Sequence, residues 1–151
     1  MLDQTMIETI ERVRLGHVAT VTPGGRPAVS PKGTFVVLDP ATLAFGHIRS
    51  PGTVQNISHS PEVEVCFVDP FIRKGCRVRA SAQVVRWGTD DFAALIPAWV
   101  TLWGDLADRI SAIVKLNVTA ASPLSTPPYD NGVSEQEMVA LYKAKYAEIY
   151  G

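Results

Sequence analysis

The sequence has no apolar run approaching the ~20 residues that a membrane-crossing helix needs. It also has no excess of charge: 14 Lys and Arg stand against 15 Asp and Glu, for a formal net charge of −1. The first absence argues against a membrane span. The Met-Leu-Asp-Gln start lacks the basic-then-apolar pattern of a secretory leader. The second argues against a non-specific nucleic-acid binder, which requires a basic field. Cysteine is scarce. Cys66 and Cys76 sit in strand-like apolar contexts without metal-ligand spacing, which points to free thiols, a reducing compartment and a cytoplasmic protein. The familiar catalytic fingerprints are missing too: no GxGxxG, no GxxxxGK[ST], no HExxH and no GxSxG. The three histidines, His17, His47 and His59, show no paired spacing. No metal site is expected, and no acid/base constellation stands by itself, so any reactivity would come from a cofactor.

What is present reads as one domain over residues 1–151, 46% hydrophobic and long enough for a sizeable core. Residues 3–15 have helical spacing, with Met6, Ile7, Ile10 and Val13 on one face and Thr5/Glu8 at capping-box spacing. Strands are expected at His17–Thr22 and Arg26–Leu38, the second interrupted by Pro31, and at Leu43–Phe45. A helical turn over Val54–Ser58 leads to strands at Glu62–Val68 and Arg73–Trp87. A helix over Asp90–Leu106 should kink or split at Pro97; its Trp99 and Trp103 suit a core or a subunit interface. A strand at Arg109–Ala120, a proline-rich loop at Ser122–Gly132 and a helix at Ser134–Tyr150 close the chain. Many strands joined by short turns predict a mainly β fold, an antiparallel barrel with peripheral helices.

Two stretches carry candidate chemistry. The turn after Phe45 offers Gly46, His47, Arg49, Ser50, Gly52 and Thr53 at the start of a helix. Backbone N–H groups, a helix N-terminus, a guanidinium and hydroxyls together suit an anion, though polar turns also simply cap helices. In the second strand a period of two puts Ser30 and Lys32 on one face, where they could present a hydroxyl and an ammonium to a ligand. Equally, the lysine could guard a sheet edge. Arg77 and Arg79 share the polar face of the long strand, either solvated or reaching a ligand carbonyl.

HVATVTPGGRPAVSPKG, LDPATLAFGHIRSPGTVQNISHSPEVEVCF and RVRASAQVV, in that order, resemble the pyridoxamine 5′-phosphate oxidase-like family of FMN-binding split-barrel proteins. The end segment IVKLNVTAASPLSTPPYD also looks like that of short members. The resemblance implies a six-stranded antiparallel split β-barrel and a homodimer with FMN at the subunit interface. It places the phosphate at Arg49, Ser50 and Thr53, and the flavin ring along Val29, Ser30, Pro31 and Lys32. His47 lies in the same turn, and Gln55 and Arg77 are weaker carry-overs. The implied function is an FMN-dependent oxidoreductase moving electrons between a reduced donor and a small acceptor. The alternatives are a flavin- or haem-binding module without turnover and a deazaflavin-dependent reductase. Two family features are missing, a lysine near Thr53 and a C-terminal arginine motif for a substrate phosphate. The second absence speaks against vitamin B6 phosphate oxidation itself.

Overall fold

In the computed structural model, which describes residues 1–151, seven strands form one sheet in the order β2-β1-β5-β6-β7-β4-β3, every neighbouring pair antiparallel. The strands are β1 (Gly16–Val21), β2 (Pro27–Lys32), β3 (Phe35–Asp39), β4 (Thr42–His47), β5 (Glu62–Val68), β6 (Gly75–Arg86) and β7 (Ala112–Leu124). The helices are α1 (Gln4–Val13), α2 (Pro51–His59), α3 (Asp90–Leu95), α4 (Pro97–Trp103) and α5 (Glu135–Tyr150), with 3-10 turns at Gly104–Arg109 and Pro127–Asn131.

The two edge strands, β2 and β3, are consecutive in the chain and separated only by Gly33 and Thr34. A flat seven-stranded sheet would be roughly 29 Å wide at 4.8 Å per strand. A link of this length spans only about 10 Å. The sheet must therefore roll until its edges face each other. No ladder joins β2 to β3, so the barrel stays split along that seam. The expected barrel is thus present with seven strands rather than six. The second strand divides at Gly33–Thr34, not at Pro31, which lies inside β2 opposite His17.

The rolled interior holds Val18, Leu43, Val65, Val78, Val114 and Leu116, with the Phe35 ring tilted against Phe45 (5.3 Å) and edge-to-face with Phe67 (4.8 Å). Helix α1 closes one end with Met6 and Ile10. Its cap is Asp3, which accepts a hydrogen bond from the Met6 N–H at 2.8 Å, in place of the Thr5/Glu8 box that the spacing predicts. A second core lies outside the barrel, where Val36, Ala44, Val85 and Ile113 pack under Phe92, Trp99 and Ile110. This explains why β4 reads as a nearly continuous apolar run: Leu43 and Phe45 point inward, while Ala44 points into the second core. Pro97 splits the long helical stretch into α3 and α4 as expected. Ser134 and Glu137 form the expected capping box of α5. Strand β7 runs four residues beyond the expected Ala120, through the first part of the proline-rich loop.

No helix is long and apolar enough to cross a membrane. The outer face of β2, β1, β5 and the first half of β6 carries alternate residues left out of both cores, including Val29, Val21, Glu64 and Arg79.

Candidate functional site

The seam between β2 and β3 is where polar groups from the two candidate stretches meet. Lys32 ends β2 and, because the strand alternates, points into the barrel seam rather than into solvent. The residue is 7% exposed. Its Nζ donates to Ser30 Oγ at 2.9 Å and sits 6.0 Å from the centre of the Phe45 ring. None of the ion pairs in the chain involves Lys32. The edge-guard explanation of this lysine fails on that burial, since a guard must project into water. Burial pushes the Lys32 ammonium below the ordinary lysine range.

His47 ends β4 on the facing side of the seam. Its backbone C=O is fixed by the Ser111 N–H (2.9 Å) and Ser111 Oγ (3.2 Å). Its side chain is not fixed in this way, for the buried Nδ1 has no hydrogen-bond partner. Burial, and then the neighbouring Lys32 charge, push the imidazole below its ordinary pKa. A lone histidine beside a turn usually satisfies its own ring; this one does not. An ammonium without a counter-ion and an imidazole without a partner form a cationic, donor-rich spot that an anion would satisfy.

The turn that follows is built to leave donors open. Ser50, just before α2, has φ 101°, a left-handed conformation that costs a non-glycine residue about 1–3 kcal/mol. Its hydroxyl makes no capping hydrogen bond, and Pro51 occupies the first helical position. Thr53 is buried in the first turn, its N–H bonded to Ser50 C=O at 3.2 Å, while Arg49 is exposed and in no ion pair. Helix α2 is anchored from below by Asn56, whose Nδ2 donates to Thr20 Oγ1 at 3.0 Å. Trp99 is fully buried and donates from Nε1 to Thr34 C=O at 2.8 Å. Thr34 in turn bonds both backbone groups of Gly46. This bracket holds the β2–β3 link against Gly46 at the start of the polar turn, a role for Trp99 and Thr34 that sequence reasoning missed. It also removes Trp99 from any subunit interface.

The remaining candidates divide. Val29 and Pro31 are exposed on the outside of β2, while Ser30 and Lys32 face inward. The open backbone edge of β2 is common to all of them. Gln55 is exposed on α2. Arg77 lies on the outer sheet face, in the cross-strand row Pro31–His17–Cys66–Arg77, about 14 Å from Pro31 at ordinary strand spacing. It pairs with Glu64 at 3.2 Å beside Arg79 at 2.8 Å. No cluster of three or more His, Cys, Asp or Glu suits a metal ion.

A seamed antiparallel barrel with this turn defines a family. The family model described as pyridoxamine 5′-phosphate oxidase matches residues 2–126, and the chain belongs to that family. Solved structures share the fold. An F420 reductase is 24% identical, with a TM-score of 0.63, covering 80% of this chain and 98% of its own. HutZ, the haem storage protein from Vibrio cholerae, is 20% identical with a TM-score of 0.65, covering 83% and 95%. An FMN-binding protein related to pyridoxamine 5′-phosphate oxidase, from Nostoc punctiforme, is 20% identical with a TM-score of 0.58, covering 80% and 78%. No curated protein sequence matches the chain.

Proposed function

We propose that the chain holds FMN along the β2–β3 seam and acts as a cytoplasmic flavin-dependent oxidoreductase on a small-molecule substrate. The observation that carries this reading is the pairing of Lys32, buried without a carboxylate, with His47, buried with a bare Nδ1. An anionic ligand meets the ammonium, and a polar edge of the same ligand can partner Nδ1. Arg49, Ser50, Thr53 and the start of α2 would hold the phosphate. The free edge of β2 at Val29–Lys32 would meet the flavin's imide edge with backbone C=O groups and the N–H groups of its non-proline residues, Pro31 having no N–H to give. Bound FMN supplies hydride acceptance from a reduced donor and electron transfer to a small acceptor. The protein's own part is electrostatic: Lys32 and the His47 ring would sit where negative charge gathers, with the Phe45 ring 6.0 Å from the Lys32 ammonium.

The family and the FMN-binding relative support this ligand; the F420 reductase and the haem storage protein define the rivals. The neutral imidazole of His47 would suit haem iron, but the ammonium beside it disfavours a ferric centre and favours an anion. A homodimer belongs to the same reading, with the uncovered face of β2, β1, β5 and β6 meeting a second copy. Val21, Val29 and Val68 are exposed there (41, 67 and 39%) among Glu64, Arg77 and Arg79.

The test is an absorption spectrum of the purified protein followed by titration with FMN, F420 and haemin. Flavin bands near one FMN per subunit, with steady oxidation of a reduced nicotinamide, support the oxidoreductase. Tight binding without turnover reduces it to a binding module. A Soret band with no flavin affinity removes FMN altogether.

A further inference from the structure

The two free cations of the candidate site differ in kind. Arg49 belongs to the turn before α2, is exposed and makes no ion pair. Lys32 belongs to β2 and is 7% exposed. Its ammonium has the Ser30 hydroxyl at 2.9 Å and the Phe45 ring centre at 6.0 Å. Across the ladder its β1 partner is Gly16, which has no side chain to answer it. Burial alone lowers the Lys32 pKa, with no carboxylate to offset it. The neighbouring His47 is pushed toward its neutral form, so it brings no negative charge either. A charge at a buried position is screened far less than one in water. The field of Lys32 is therefore the one that a bound ring would feel.

FMN exists in two charge states. Its phosphate is equally charged in both, so Arg49 and the turn gain the same from each. The ring differs: it is neutral when oxidised, and two electrons with one proton make it an anion at neutral pH. Charge placed near the ring nitrogens is one of the ways in which a protein tunes a flavin.

Given the FMN site proposed above, on which this inference rests, we propose that Lys32 makes the seam select reduced FMN over oxidised FMN. The uncompensated ammonium gains a counter-charge only when the ring is reduced. The oxidation state that binds more tightly is favoured at equilibrium, so the bound flavin has a higher midpoint potential than free FMN. A tenfold preference corresponds to about 30 mV for a two-electron couple. Such a site takes electrons readily from a reduced donor. It passes them only to an acceptor of higher potential still, which defines the class of acceptor.

The test is anaerobic. Oxidised FMN and dithionite-reduced FMN are titrated separately into the full-length chain, and the midpoint of the bound flavin is read against a reference dye. The wild-type protein should bind the reduced form at least tenfold tighter, raising the midpoint by about 30 mV or more. Lys32→Met should cost the reduced form at least tenfold more than the oxidised form, and Lys32→Gln, which keeps a donor without the charge, should do the same. Arg49→Ala should weaken both forms alike and leave the bound midpoint where it is. Equal affinities of the wild-type protein for the two forms overturn the inference without any variant and leave the FMN site standing. A Lys32→Met that weakens both forms equally puts the ammonium at the phosphate and overturns it as well. So does an Arg49→Ala midpoint shift as large as that of Lys32→Met. Failure to bind either form removes the FMN site itself, and the selection with it.

Discussion

Replacing Lys32 with methionine separates a functional lysine from a structural one, because the two roles predict opposite signs. Methionine keeps an unbranched side chain of similar length in the buried seam and removes the ammonium that lies 6.0 Å from the Phe45 ring. Ser30 Oγ then loses its donor, but Ser30 is partly exposed, so water can replace it. In the ligand-free protein the ammonium is buried at 7% exposure with no counter-ion. Removing such a group should stabilise the fold by about 1–3 kcal/mol. For a chain of this length each kcal/mol raises Tm by roughly 2–4 °C. The same change should weaken FMN, since a hydrogen bond from a charged donor is worth about 1.5–3 kcal/mol, a loss of roughly 10- to 150-fold in Kd. The assay is thermal unfolding of the ligand-free protein beside a flavin fluorescence titration. A variant that melts lower and binds FMN with unchanged affinity would refute the argument. It would make Lys32 a packing residue whose charge is already compensated.

Arg49→Ala should weaken FMN by more than tenfold while leaving Tm unchanged, because the exposed guanidinium has no partner within the protein; unchanged affinity in the same titration removes Arg49 from the site. The folded protein keeps His47 neutral below its ordinary pKa of 6.5, so just below that pH the unfolded chain holds more protons. Stability should therefore fall as pH drops through 6.5, and His47→Gln should flatten that part of the Tm–pH curve; identical curves for the two proteins would contradict the assignment. Lys32→Met should raise the His47 imidazole pKa, read by NMR titration, by removing the nearby positive charge. Gly75→Ala should prevent folding, as a Cβ there would lie 1.8 Å from the Phe67 carbonyl oxygen; a soluble variant with wild-type Tm would show that the start of β6 can shift.

The alternation of Val78, Ala80, Ala82 and Val84, the Pro97 break, the Ser134/Glu137 box and the short turns between strands were enough to specify an antiparallel barrel with peripheral helices. These are local signals, set by residue spacing and backbone geometry, and a single chain displays them directly. The division of the second strand was hidden because Pro31 is the stronger breaker on paper. An edge strand tolerates proline where its N–H has no partner, so the break moved to the Gly33–Thr34 link that the rolling of the sheet requires.

The candidate site divides along the same line. Arg49, Ser50 and Thr53 could be named from sequence because a polar turn before a helix is contiguous. That Lys32 is buried, that His47 is unsatisfied beside it, and that Trp99 braces the seam through Thr34 all depend on residues 15 to 65 positions apart. Only the closing of the sheet brings them together. Arg77 and Arg79 likewise looked free until β5 set Glu64 opposite them. By itself the sequence determined which groups were available and the local structure that carries them. The tertiary structure decided which charges are left without partners, because desolvation and pairing are properties of the space between strands.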